Sequence, residues 1–461
     1  MTRTLTCRLT NAFILAFALA SVPPVVDAAP IVRLSGTMRA DGGVERSLEA
    51  TRPQISDSAQ RAVFVAKRDG PAGQSKELWS VPLAGGEPTR LNQQLDSAHA
   101  DIRSFAITPD GQTVLYTAYV ASQSNRLHLW SVPIGGATAT APITQLSSAA
   151  MVSGGSVSAY AISPDSSRVV YRASVASVAV NELFSVALAP AVIPPTPVTL
   201  SGSIAAGGEV DNTTTLAGFT TAAIQITPDG TKVLFMADRV TPGIHDLWSV
   251  PITGPTVAAP ITNLSQIQAT GGNLTGFEIS GDGLRAVYTA DRATLNLVDL
   301  WSVPLAPSTT TATITRLSPV FASVFQRVAS FHISPAAPYT VVFLGDVATA
   351  TVDELFSVPI NGSSAASKIS HSSLVSGGDV ADFKISADGA RVLFVADATV
   401  DEQNELWSVA TTGGAIVNVS GTMVSGGDVY DYAFSANSQR AIFIADRATN
   451  GVDELWSADL I

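Results

Sequence analysis

Ile224-Gln225-Ile226-Thr227-Pro228-Asp229-Gly230, then Lys232 to Asp238, then Asp246-Leu247-Trp248-Ser249-Val250-Pro251, then Ile261 to Ser265, reads as four short strands in succession. Pro228 fixes φ, Asp229 can bond the backbone and Gly230 takes positive φ, so the first strand turns tightly into the second. The second strand is Val-Leu-Phe-Met, the third is Leu-Trp-Ser-Val stopped by Pro251, and the fourth is Ile-Thr-Asn-Leu-Ser. Large side chains on both faces fit a sheet held between two neighbours.

The same order returns from Phe105 to Ser147, Tyr160 to Ser201, Phe277 to Ser318, Phe331 to Ser370 and Phe383 to Ser420. The third-strand aromatic marks eight copies, at Trp79, Trp130, Phe184, Trp248, Trp301, Phe356, Trp407 and Trp456. Successive marks are 51, 54, 64, 53, 55, 51 and 49 residues apart, and all six tryptophans of the chain fall on this position. A strand-and-turn repeat of about 40 to 50 residues is the signature of a β-propeller, whose blades cannot bury their faces alone. The expected fold is all-β: an eight-bladed β-propeller of four-stranded antiparallel blades. The two ends complement each other. The last copy runs out after its third strand, while Ile31-Val32-Arg33-Leu34-Ser35 reads as a fourth strand with nothing before it. Ser35-Gly36-Thr37-Met38 recurs letter for letter at Ser420-Gly421-Thr422-Met423. Residues 31 to 35 are therefore expected to complete the blade of Trp456 and close the ring, removing its unpaired edge.

Arg3 and Arg8, an apolar run from Ala12 to Val22 and small residues at Val26-Asp27-Ala28 read as a secretory signal cut after Ala28. Residues 29–461 then form the propeller, exported to the periplasm or beyond the cell as a monomer. The apolar run is too short to span a bilayer, and no later stretch is long enough. Cys7, the only cysteine, precedes that run, so the mature chain has no disulfide or cysteine metal site and depends on its hydrophobic core. Net charge is −12 with no clustered Lys and Arg, which excludes nucleic acid as a natural partner. An acidic balance favours solubility, cations or a basic protein partner.

Pro-Asp-Gly before a Val-Leu-Phe strand with an acidic end, followed by an Asp/Glu-Leu-Trp strand, resembles the TolB-like propeller repeat. That repeat is shared by TolB and the propellers of prolyl oligopeptidase-type enzymes. The resemblance covers essentially the whole mature chain and implies the fold; it implies little about function, because one superfold serves many. TolB itself has a six-bladed ring behind an α/β domain, and the peptidases add an α/β-hydrolase domain. This sequence has eight copies, too little chain ahead of residue 31 for such a domain, and no Gly-x-Ser-x-Gly elbow.

Function is sought where the repetition breaks. Repeated aromatics read as packing between blades, and Asp110, Asp165, Asp229 and Asp388 as turn formers. Glu77, His128, Glu182, Asp246, Asp299, Glu354, Glu405 and Glu454, two residues before each aromatic, read mainly as acceptors for backbone N–H groups entering the third strand. The paired glycines, such as Gly377-Gly378, lack the Lys and helix of a phosphate cradle. The end of the second strand is less regular: Asp238, Asp291, Asp346, Asp397 and Asp446 in the last five copies, against Lys67, Tyr119 and Ser174 in the first three. The fourth-to-first loops, which belong on the same face, add Glu209, Asp379 and Asp428. These eight carboxylates are the candidate binding set. Loop capping, an oxygen-rich calcium site and recognition of a basic partner are its three readings. Arg239, Arg292 and Arg447 follow three of the aspartates and are expected to neutralise them.

Catalytic signals are sparse. His99, His128, His245, His332 and His371 occupy unrelated repeat positions, with no metal-ligand spacing. The resemblance extends to propeller lyases that hold a metal through histidines over the channel, and only His332 sits suitably for that. The expectation is an exported, non-catalytic propeller without a required cofactor, presenting one loop face to an envelope protein or glycan. The rival is a cation-dependent envelope polysaccharide lyase or hydrolase.

Overall fold

The computed structural model describes residues 33–35, 43–44, 49–67, 76–93, 95, 102–119, 126–148, 150–189, 195–211, 213–216, 219–267, 271–305, 313–321 and 326–460. The signal segment and Cys7 lie outside them. Described residues form β-sheets with no α-helix, and no helix is long and apolar enough to cross a membrane. Seven sheets each run through four antiparallel strands in chain order. In the fourth these are Ile224–Ile226, Lys232–Ala237, Asp246–Pro251 and Thr262–Asn263, matching the strands read from the sequence. The eighth has three: Val429–Phe434, Arg440–Ala445 and Glu454–Asp459. The fold is an all-β propeller of eight blades, numbered here in chain order.

One register repeats in every blade. The third-strand aromatic lies opposite an aromatic of the second strand, in the pairs Phe64↔Trp79, Tyr116↔Trp130, Tyr171↔Phe184, Phe235↔Trp248, Tyr288↔Trp301, Phe343↔Phe356, Phe394↔Trp407 and Phe443↔Trp456. Directly opposed rings on one face gain packing beyond their burial, and here that face meets the preceding blade. At the junction of blades 7 and 8, Leu393, Val395 and Leu406 pack against Tyr432, Ala441, Phe443 and Ala445. The other described junctions repeat this arrangement, and an aliphatic just past the fourth strand joins each one: Leu91, Leu146, Leu200, Leu264, Leu317, Ile369 or Val419.

Two features depart from the repeat. A hairpin of Thr213–Leu216 and Phe219–Ala222 is inserted between blades 3 and 4 and reaches the innermost strand of blade 5, Leu274–Ile279. The 64-residue spacing from Phe184 to Trp248 is its mark in the sequence. Blade 8 lacks a fourth strand among the described residues. Of the segment expected there, residues 31 and 32 lie outside the description and Arg33–Ser35 form no strand, although Leu34 packs on blade 1.

Trp248 is 5% exposed, and its Nε1–H donates to Ala237 O at 3.1 Å. Trp248→Ala is expected to cost about 3 to 5 kcal/mol through cavity formation, measured by denaturant unfolding.

Candidate functional site

The loops joining second to third strands, and those joining each blade to the next, share one face. The acidic series forms a set of latches between them. Asp446 Oδ1 accepts Asp428 N–H at 2.5 Å and Oδ2 accepts Gly451 N–H at 2.8 Å. These bonds hold the Asp446 carboxyl below its ordinary pKa. Asp428 Oδ1 in turn accepts Asn404 N–H of blade 7 at 2.7 Å. The pattern repeats one blade earlier, where Asp397 holds Asp379 N–H at 2.5 Å and Asp379 holds Asp353 N–H at 2.6 Å. Asp238 accepts Glu209 N–H at 2.6 Å and Gly243 N–H at 2.8 Å. Asp291 accepts the amides of Asn273 and Asn296, and Asp346 that of Arg327 at 2.5 Å. Glu209 receives Arg172 and Asn181, each at 2.8 Å.

Second-strand aspartates therefore do not form an open ligand rim. Asp238, Asp291, Asp346 and Asp446 are buried and Asp397 is half-buried. In blade 3 Ser174 makes the same latch with its hydroxyl, accepting Ser156 N–H at 3.1 Å, so the charge asymmetry partly reflects a change of acceptor type. The latches need a close backbone approach, met by the second glycine of the pair at Gly155, Gly208, Gly378 and Gly427, and at the Asp346 latch, which has no such pair, by Gly345 against Arg327 O. A Cβ on Gly208 or Gly378 would lie 2.4 or 2.5 Å from Asp238 O or Asp397 O. Among the described residues no three His, Cys, Asp or Glu side chains are grouped to hold a metal.

Arg239, Arg292 and Arg447 do not neutralise the aspartates they follow. Their guanidinium groups lie over Trp248, Trp301 and Trp456 at 5.0, 5.2 and 4.9 Å. Each Nε–H donates to a carbonyl, Ser201 at 2.5 Å, Ser265 at 2.7 Å and Ser420 at 2.6 Å, tying the blade to its predecessor. The acids two residues before the aromatics also differ from expectation, being bonded chiefly by side chains of the outer edge rather than by the entering loop. Glu77 pairs with Arg90 at 3.1 Å, and Asp299 and Glu354 pair with Arg316 and Lys368. Asp246 accepts from Ser265 at 2.6 Å and from Ile267 N–H at 3.0 Å, while Glu405 accepts from Asn418 at 3.1 Å and, from the entering loop, from Thr399 Oγ1–H at 2.6 Å. At His128, Gln145 and Ser147 bond the imidazole.

The innermost strands carry a second polar set. Glu278 of blade 5 bonds His332 Nδ1 of blade 6 at 2.6 Å and accepts Ile333 N–H at 2.9 Å. Lys384 of blade 7 donates to Tyr432 O of blade 8 at 2.6 Å. Gln54 and Gln225 occupy the same repeat position and donate to Phe105 O and Phe277 O of the following blades, at 3.2 and 2.9 Å. This belt stitches neighbouring inner strands together. Burial opposes charge on His332, yet the Glu278 hydrogen bond and the charges of Glu278 and Asp382 raise its pKa overall.

The other described histidines are separate from this belt. Burial, then Arg126, pushes His128 down to about 4. His245 Nδ1 bonds Asp211 at 2.7 Å, which raises its pKa against burial. His371 stands edge-on to Trp407 at 4.3 Å, its pKa lowered by burial and Lys368. The structure does not bring the four described histidines together, and His99 lies outside the described residues. Turn aspartates behave as read: Asp229 Oδ1 accepts Thr227 Oγ1–H at 2.6 Å and Thr231 N–H at 3.0 Å, lowering its pKa.

No protein-family model matches the chain, and no curated protein matches it. Among solved structures it is similar to a variant of puromycin hydrolase, with a TM-score of 0.40 and 17% identity over 77% of this chain and 51% of that one. It is also similar to prolyl oligopeptidase B from Galerina marginata. The substrate-bound form gives a TM-score of 0.41 and 10% identity, and the apo form 0.40 and 9%, each over 88% of this chain and 55% of that one. The chain spans about half the length of these structures.

The raised pKa of His332 fixes the sign of a pH effect. Stabilisation by the charged pair is full below the ordinary histidine pKa of about 6.5 and is lost as pH rises through the raised folded value. The melting-point deficit of Glu278→Gln, which keeps an acceptor for Ile333 N–H, should therefore be larger at about pH 5.5 than at about pH 8.5. An equal deficit at both would contradict the pairing.

Proposed function

We propose that this protein is an exported, non-catalytic binding propeller whose acidic loop face, on blades 4 to 8, captures a cationic partner in the cell envelope. The observation that carries this reading is the set of carboxylates left accessible once the latches are made. Asp401, Glu402 and Asp453 are exposed, while Asp211, Asp353, Asp379 and Asp428 are partly so. They stand on loops pinned by buried acceptors, and preorganised charges on a rigid scaffold favour steering and orientation of an oppositely charged surface. Arg327 lies 3.9 Å from Asp353 and His245 bonds Asp211, whereas Asp379, Asp401, Glu402, Asp428 and Asp453 have no ion-pair partner among the described residues, and Arg239, Arg292 and Arg447 are turned onto tryptophans. A basic envelope protein, or a glycan bearing amino groups, has the matching chemistry. The likeness of the repeat to TolB-type propellers belongs with this reading, as does a soluble monomer after signal removal. No cofactor is required, because the aspartates best placed for calcium spend their oxygens on backbone amides.

The test separates charge from hydrogen bonding. Asp379→Asn and Asp428→Asn, combined with Asp401→Asn, keep an acceptor at each latch and remove three negative charges. Purified mature protein should capture a partner from envelope extract at low salt, with or without chelator. The triple variant should lose most of that capture at an unchanged melting point. Metal-dependent cleavage of an envelope polysaccharide, abolished by His332→Ala, would establish the lyase or hydrolase instead.

A further inference from the structure

One face of blade 8 is exposed where its counterparts are covered. Ile442, Ile444 and Leu455 are 45, 39 and 74% exposed, whereas Leu393, Val395 and Leu406, at the same positions in blade 7, are 0, 6 and 0% exposed under blade 8. The complementary face belongs to blade 1. Ala62, Phe64 and Ala66 correspond to Ala441, Phe443 and Ala445, which receive blade 7. Against that blade 1 face packs Leu34. This is the place taken at every other junction by the aliphatic past the fourth strand of the preceding blade.

Residues 33–35 carry, position by position, the residue types that make three recurrent interactions in that fourth strand. Each of the seven junction aliphatics donates its N–H to the third-strand Leu or its equivalent, as in Leu91 to Leu78 O at 2.9 Å and Val419 to Leu406 O at 2.8 Å. The next residue is usually a serine whose Oγ accepts that leucine's N–H, as in Ser420 from Leu406 at 3.1 Å and Ser370 from Leu355 at 3.0 Å, and the residue after Leu34 is Ser35. The preceding residue carries the charge partner. Arg90 pairs with Glu77, Arg316 with Asp299 and Lys368 with Glu354, and the corresponding residues are Arg33 and Glu454. Both are exposed and have no ion-pair partner among the described residues.

We infer that the exposed face of blade 8 is the seat for blade 1 of the same molecule, with Arg33-Leu34-Ser35 pairing along Glu454–Ser457 as the missing outer strand. In the closed ring Leu34 N–H meets Leu455 O, Leu455 N–H meets Ser35 Oγ, and Arg33 faces Glu454. A second copy offering its own residues 33–35 would satisfy the same edge head to tail, and would propagate without closing. Both faces belong to one chain, so closure within the molecule proceeds at the high effective concentration of tethered partners, which favours the intramolecular occupant over a second copy.

Leu34→Cys with Leu455→Cys, in a Cys7→Ser background, tests this. Under mild oxidation at high dilution the pair should form an intrachain disulfide, seen as a faster monomer band without reductant and as a linked peptide by mass spectrometry. Light scattering should give one chain per particle. Disulfide-linked dimers or concentration-dependent mass would assign the face to a second copy, and free thiols in the folded protein would refute the seat altogether. If the cysteine variant fails to fold, charge reversal decides. Glu454→Arg should lower the melting point and Arg33→Glu added to it should restore it, whereas no recovery overturns the pairing.

Discussion

Everything in this protein depends on one contact made between successive blades. Third-strand leucine and second-strand aliphatics of one blade press on the aromatic pair of the next, as Leu234 and Leu247 do on Tyr288 and Trp301. A single four-stranded sheet with two apolar faces is not a stable body, and the repeat folds because each face is the wall of a neighbour. Turns, latches and inner belt all serve to bring those faces into register. The rings also explain the choice of residue. At Trp248, Trp301, Trp407 and Trp456 the ring fills the junction and directs its Nε1–H to an alanine carbonyl of its own sheet, at 3.1, 3.4, 3.4 and 3.2 Å, whereas Trp130 Nε1 is buried without a hydrogen-bond partner among the described residues.

Buried acids on the loop face follow from the same requirement. Crossing from one blade to the next exposes backbone amides that neither sheet can bond, and an unbonded buried amide costs about 1 to 3 kcal/mol. Aspartate solves this with two acceptors on a short stem, one for each loop, as Asp238 does for Glu209 and Gly243. The carboxylates most regular in the sequence are thus consumed by structure. Less regular ones, such as Asp401 and Asp453, remain accessible on a surface whose shape the latches fix. Function is better sought in those variable positions than in the recurrent ones.

Most of the fold was legible because the repeat states it eight times. Strand order, the Pro-Asp-Gly turn and the packing role of Trp248 follow from spacing and alternation alone. The inserted hairpin was less legible, since its Thr-rich strands lack apolar alternation and only the long spacing before Trp248 betrays it. The candidate site was half legible. Asp238 and its relatives could be placed on one face, but whether a carboxylate faces an amide or the solvent depends on loop geometry that charge patterns do not encode. Arg239, Arg292 and Arg447 illustrate the point: adjacency in sequence suggested ion pairs, whereas the alternation of side chains at a strand end turns each arginine onto its tryptophan. The Glu278–His332 pair joins residues 54 apart and becomes visible only when two inner strands stand side by side.

Amide hydrogen exchange of the third-strand leucines tests most directly the claim that stability resides between blades. Leu78, Leu129, Leu183, Leu247, Leu300, Leu355 and Leu406 each donate N–H to a side chain past the fourth strand and lie under the next blade. If junctions carry the fold, these amides and that of Leu455 exchange together through one cooperative opening, with the same dependence on denaturant. Exchange in eight independent steps, or in blocks confined to single sheets, would show that each blade holds itself together and would contradict the account.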